Sequence, residues 1–155
     1  YAKPERLGID RFLSMVAVHA RTTGAGIVIG CGTALTLDAV AGDGAHAAGL
    51  IALSPGRMLE ALRGATSIAD TNPDAFAAGT VDDTAAALHA GCWAAAGATV
   101  EWFAARQRAA LGAAPVWLHG GWAAPLAAWL ARDGFEAEVF DHAVLHGLAS
   151  WCDRP

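Results

Sequence analysis

Residues 27–51 read IVIGCGTALTLDAVAGDGAHAAGLI, three apolar runs separated by two glycine-rich turns. Short runs of Val, Ile, Leu and Thr bounded by Gly and Asp read as strands, and turns this short join neighbours antiparallel. The stretch therefore predicts a three-stranded meander over 27–30, 34–41 and 45–52, with Gly42-Asp43-Gly44 as its second turn. The first turn, Gly30-Cys31-Gly32-Thr33, admits two readings. A plain hairpin needs one glycine at positive φ, whereas an anion cradle needs backbone N–H groups and a hydroxyl converging on one point.

Upstream, apolar residues at Phe12, Leu13, Val16, Ala17 and Ala20 follow helical spacing behind Asp10, which stands where an N-cap is expected. Downstream, SPGRMLEALRGA predicts a helix with Pro55 at its start and Gly64 at its end. NPDAFAAG (72–79) reads as loop, and the alanine-rich run from Asp82 to Leu111 as one long helix with Gly91 and Gly97 at a packing face or weak break. PVWLH reads as a strand, Gly120-Gly121 as a turn, WAAPLAAWLA as a helix, FEAEVF as a strand and DHAVLHGLASWC as a last helix. With the helical stretch counted as one layer, the order from the meander onward is β-β-β-α-β-α-β-α. A meander extended by helical crossovers implies a mixed α/β sheet of the ribonuclease-H-like kind, the plan of one half of the actin-like ATPases.

The chain has 155 residues, 55% of them hydrophobic and 16% charged, enough to bury one substantial core. A net charge of −5 provides no basic field for nucleic acid or an anionic membrane, and no stretch has the length of a membrane span. Cys31, Cys92 and Cys152 are odd in number and lack C-x-x-C spacing, which argues against a disulfide framework or a zinc site and fits a reducing cytoplasm. His46 reads as a polar strand residue, and His119, His142 and His146 show no metal-ligand spacing.

Taken together, Tyr1, LGIDR at Leu7 to Arg11, GTALTLD at Gly32 to Asp38, the glycines flanking His46, TAAALHAG at Thr84 to Gly91 and LHGG at Leu118 to Gly121 resemble the type III pantothenate kinases in order and approximate spacing. The resemblance implies a substrate loop and helix over 1–24 and a C-terminal actin-like kinase domain over 25–155, with the family's N-terminal half and its Asp-x-Gly-Asn-Thr loop absent. It implies ATP-dependent phosphorylation of pantothenate to 4'-phosphopantothenate in coenzyme A synthesis, with magnesium bridging the phosphates and a homodimer formed through the long helix. Asp10 would be the proton acceptor, and Tyr1, Gly8, Ile9, Asp10, Arg11 and Thr84 would bind pantothenate. Gly32 and Thr33 would meet the ATP phosphates, and Gly120 and Gly121 would let the backbone approach the nucleotide.

Bland readings stand beside these: Asp10 as a helix cap, Arg11 as a surface partner, Thr33 as a strand residue, Thr84 as an ordinary first-turn residue. Three departures from the family pattern are visible. Gly30 stands where an aspartate would hold a potassium ion, Ala48-Gly49 replaces a Gly-Gly pair, and Pro55-Gly56 is displaced toward the following helix. No metal ligand is assigned. The rival from another class is a non-catalytic accessory or regulatory protein of the same family.

Overall fold

The computed structural model describes residues 3–66 and 83–153, so Tyr1, Asp82 and the loop expected over 72–79 lie outside it. After a 3-10 turn at Pro4–Arg6 come α1 (Ile9–Arg21), β1 (Gly26–Cys31), β2 (Ala34–Val40), β3 (His46–Leu53), α2 (Pro55–Ala65), α3 (Thr84–Leu111), β4 (Val116–His119), α4 (Ala123–Ala131), β5 (Glu138–Val139) and α5 (Ala143–Cys152). The five strands form one mixed sheet in the order β3-β2-β1-β4-β5. The β1–β2 and β2–β3 pairs are antiparallel, as a meander requires, while β4 and β5 add in parallel after helical crossovers.

Alternation along the strands divides the side chains between two faces. Ile27, Ile29 and Cys31 of β1, Leu35 and Leu37 of β2, and Val116 and Leu118 of β4 join Trp93, Val100 and Phe103 of α3 and Leu126 and Leu130 of α4 in the larger core. On the other face Val28 and Val40 meet Met15, Ala17 and Val18 of α1, with Phe140 and Ala143 closing the smaller cluster. Every residue of β1 is buried, which suits a central strand covered by helices on both sides.

Helix boundaries follow local chemistry, with three corrections to the sequence reading. The N-cap of α1 is Gly8, not Asp10; Asp10 is the second helical residue and caps nothing. Gly64 lies inside the last turn of α2, which runs to Ala65. The last strand is only Glu138–Val139, paired in parallel with Trp117 and Leu118, and Phe140 N donates to Leu118 O at 2.7 Å where the strand ends. The start of α3 is capped by Asp83, whose carboxylate accepts from Ala85 N and Ala86 N, and the helix continues unbroken through Gly91 and Gly97. A Cβ at Gly97 would sit 2.7 Å from the Trp129 indole nitrogen, so that glycine is a packing contact, while Gly91 faces open space. Among the described residues no helix is long and apolar enough to cross a membrane.

Helices α1 and α5 cross at a distance only glycine permits: a Cβ on Gly147 would collide with the Leu13 carbonyl oxygen. Phe12 and Trp151 extend the contact edge to face, ring centroids 5.0 Å apart. Gly147→Ala is therefore expected to destabilise the protein by about 1–3 kcal/mol or more, as overpacking does. Gly91→Ala, on open helix surface, is expected to stabilise it by roughly 0.5–1 kcal/mol. Urea midpoints of the two variants test this, and equal shifts would show that the crossing can open without cost.

Candidate functional site

The α1 face of the sheet carries the polar side chains. In β2 the sequence Ala34-Leu35-Thr36-Leu37-Asp38 points its leucines into the larger core, which turns Thr36 and Asp38 toward α1. Asp38 is 1% exposed, and Arg11 from the first turn of α1 is 8% exposed. The guanidinium meets the carboxylate as a two-pronged fork, Nε to Oδ2 at 2.8 Å and Nη2 to Oδ1 at 2.5 Å. His46 Nε2 lies 2.9 Å from the same Oδ1. A carboxylate oxygen accepts, so Nε2 is the donor, which fixes the tautomer of the ring.

Two local features make this cluster possible. Pairing of β2 with β3 shifts register between Ala39, opposite Ala48, and Val40, opposite His46, so Ala47 is an extra residue. That bulge turns His46 onto the face shared by Asp38 and Gly49. At Gly49 a Cβ would stand 2.6 Å from Arg11 Nη2, 2.7 Å from Asp38 Oδ1 and 3.0 Å from His46 Nε2, so only glycine leaves room. A cavity of about 650 Å³ opens beside the cluster, lined among others by Ile9, Phe12, Val16, Val40 and His46.

Asp10 lies at the exposed rim, in the first turn of α1 where the helix dipole favours a carboxylate. Its Oδ1 would be 2.7 Å from a Cβ on Gly8, so the glycine of Gly8-Ile9-Asp10 lets the carboxylate fold back over the backbone. The next group inward is His119 at the end of β4. Burial pushes its imidazole toward the neutral form, and the Asp10 carboxylate opposes that shift in part. His119 pairs with Gly30 of β1, where a Cβ would be 2.5 Å from Thr36 Oγ1 and 3.1 Å from His119 Nε2. Gly30 is thus a glycine of close packing, and neither it nor Gly32 has positive φ. That corrects the hairpin requirement stated from sequence.

The β1–β2 turn and the turn after β4 meet. Gly120, at φ +99°, would place a Cβ 2.6 Å from Cys31 O, and Trp122 N donates to that oxygen at 3.0 Å. Gly32 and Gly121 face open space, Thr33 is exposed, and the Thr33 carbonyl accepts from Ser54 Oγ. A second cavity, about 420 Å³, is lined by His119, Gly120, Gly121, Asp141, His142 and Leu145. Cys31, between the two turns, is no nucleophile: burial pushes its thiol up to about 12.

The structure thus brings Gly8, Asp10 and Arg11 together with Asp38, His46 and His119, and draws Gly32, Thr33, Gly120 and Gly121 to the adjoining strand ends. Arg11 is buried on Asp38, not a surface partner. Thr84 is exposed at the start of α3, which packs on the opposite face of the sheet. Sequence reading missed Asp38, Gly49 and His119. The signal for Asp38 was available, since a charged residue in an alternating strand marks a buried position that needs a partner.

A family model described as type III pantothenate kinase matches residues 1–106. The chain is 43% identical to the type III pantothenate kinase of Stenotrophomonas maltophilia (strain K279a) over 155 residues, covering 97% of this chain and 60% of that protein. It is 41% identical to the Xanthomonas campestris pv. campestris (strain 8004) protein of the same name, with the same coverage. A solved structure described as a Baf family transcriptional activator from Campylobacter jejuni superposes with a TM-score of 0.68 at 18% identity, over 94% of this chain and 63% of that one, a likeness of fold alone. The chain spans about 60% of the length of the curated relatives it matches. It belongs to the type III pantothenate kinase family.

The neutral His119 has a consequence for stability. Its folded pKa lies below the ordinary histidine value of 6.5, so as pH falls through 6.5 the unfolded chain takes up a proton that the folded chain resists. Stability should fall over that window, and His119→Asn should flatten the fall. His89 shifts in the same direction, so the measurement is the difference between variant and wild type in urea midpoints at pH 7.5, 6.5 and 5.5. Identical slopes would mean that the ring is hydrated in the folded state.

Proposed function

We propose that this chain is the C-terminal, substrate-bearing part of a kinase that phosphorylates the terminal hydroxyl of pantothenate with ATP, giving 4'-phosphopantothenate for coenzyme A synthesis in the cytoplasm. The observation that carries the reading is the continuity from Asp10 through His119 to the paired turns at Gly32-Thr33 and Gly120-Gly121. A base for an alcohol and open backbone suited to phosphates adjoin each other at the C-terminal ends of the parallel strands β1 and β4, where ligands of open α/β sheets bind.

In this reading Asp10 accepts the proton of the pantothenate hydroxyl as its oxygen attacks the γ-phosphorus, and the bond to the β-phosphate oxygen breaks to release ADP. Arg11 fixes pantothenate, with Gly8 and Ile9 shaping the approach and Tyr1 and Thr84 completing the pocket. Thr33 donates its hydroxyl to the phosphates, Gly32 admits them to the backbone, and Gly120 and Gly121 lie against the nucleotide. A homodimer through α3 would bring Thr84 of a second copy to the site; Trp102, 56% exposed beside a groove lined by Ala48, Ala105 and Ala109, is the surface that supports it.

Among the described residues no three His, Cys, Asp or Glu side chains form a cation site, so magnesium would be carried by the nucleotide phosphates rather than by a protein cage. At position 30 there is no carboxylate for potassium, and the Thr36 hydroxyl and His119 ring occupy the space a side chain there would need.

The test is formation of phosphopantothenate by the full-length protein in potassium and in a large organic cation. Turnover in both is expected; no product would favour a non-catalytic accessory role, and strict potassium dependence would overturn the reading of Gly30. Asp10→Asn should lower kcat by about 10²-fold or more with pantothenate binding retained, as expected on losing a general base. Thr33→Val keeps the branched shape but loses the donor, and should weaken ATP binding by roughly 1.5–3 kcal/mol in a calorimetric titration. Normal kcat in the first variant would remove Asp10 from the chemistry, and unchanged ATP affinity in the second would leave the turn a plain hairpin.

A further inference from the structure

Behind Arg11 stands a built arrangement that the reaction as described does not use. Both oxygens of the buried Asp38 carboxylate are engaged, Oδ2 by Arg11 Nε and Oδ1 by Arg11 Nη2 and His46 Nε2. We propose that Asp38 and His46 are positioning residues for pantothenate binding: Asp38 holds the Arg11 guanidinium in one plane over Gly49, and His46 holds Asp38. The inference rests on the assignment of Arg11 to pantothenate made above and adds the two residues that orient it.

The physical argument is one of preorganisation. An arginine side chain has many rotamers, and a substrate that must freeze them binds more weakly than one that meets a guanidinium already held. Two bonds to one carboxylate fix both the position and the rotation of the guanidinium plane, which a single contact would not. Local structure keeps the three groups together. The bulge at Ala47 holds His46 on the Asp38 face although it lies three residues from Gly49, and Gly49 clears the space where the three groups meet. An interior that needed only filling could use apolar residues of similar volume, which are often as stable as a buried ion pair or more so. His46 also lines the cavity beside Ile9 and Phe12, so the network runs from the interior to space a small molecule can enter. A rival account, in which the pair only anchors α1 to the sheet, predicts losses shared by both substrates.

The experiment combines calorimetry and steady-state kinetics on the full-length protein, with pantothenate and ATP as separate probes. Wild type is expected to bind pantothenate; failure to do so would overturn the assignment of Arg11 and this inference with it. Given that binding, Asp38→Asn is expected to raise Kd and KM for pantothenate about 10- to 100-fold, the scale of a displaced positioning group, with ATP values unchanged. Because a buried charge left without its partner can prevent folding, the decisive pair is at His46, on the edge strand. His46→Leu is expected to raise the pantothenate KM several-fold, whereas His46→Gln, whose amide N–H reaches the place of the Nε2 proton, restores it. An unchanged pantothenate KM in His46→Leu, indistinguishable Leu and Gln variants, or parallel losses for both substrates would each overturn the positioning role while leaving the kinase reading intact.

Discussion

A carboxylate inside a β-sheet has to be answered by donors from a neighbouring layer, and Asp38 is answered by the first turn of α1. That requirement ties together parts of the chain that share no local pattern. Arg11 is 27 residues away from Asp38, and meeting it sets where α1 begins over the sheet. With Arg11 turned inward, Asp10 is left at the rim, its carboxylate folded over Gly8. Removing one member of a buried pair costs about 3–5 kcal/mol because the other charge remains without compensation. The fold therefore treats Arg11 and Asp38 as one unit.

The two faces of the sheet are specified differently. Toward α3 and α4 the side chains are large and apolar, and the constraint is filling space with Phe103, Leu126 and Leu130. Toward α1 the central positions are Gly30, Thr36, Asp38 and Gly49, where the constraint is how closely polar atoms approach backbone. Helix α5 comes against α1 through Gly147, and a cavity lined by His119, Gly120 and Gly121 opens at the end of β4. Open strand ends of a parallel pair, flanked by turns that can approach a ligand, form a binding crevice without any further element.

The meander was legible because its strands are short, apolar and bounded by glycine. The long helix was legible from its composition, and its Asp83 cap emerged in the structure. Asp10 was not placed correctly, since an acidic residue suits an N-cap and a first helical turn equally well, and nothing local distinguishes the two. The turn reading of Gly30 failed for a tertiary reason: Thr36 and His119, which crowd it, come from strands on either side. The last strand was overextended because an edge segment can have strand character and no partner. Within the candidate site, Gly8, Asp10, Arg11 and Thr33 were readable from their motifs, whereas Asp38, His46 and Gly49 gained a role only once the bulge set their common face. Thr84, at the far end of another layer, has no local signal that would connect it to Asp10.

That bulge carries an implication for how this region can vary. His46 lies three residues before Gly49, a spacing that in a regular strand would put the two on opposite faces; the bulge leaves Ala47 without a partner, so His46 falls opposite Val40 on the Asp38 face. Shortening the segment by Ala47 would restore a regular ladder and, with His46 then two residues before Gly49, would keep the imidazole on that face. The bulge absorbs one extra residue locally instead of passing the slip along the whole edge. What this part of the chain keeps is the face, and the length of the segment is free to change around it.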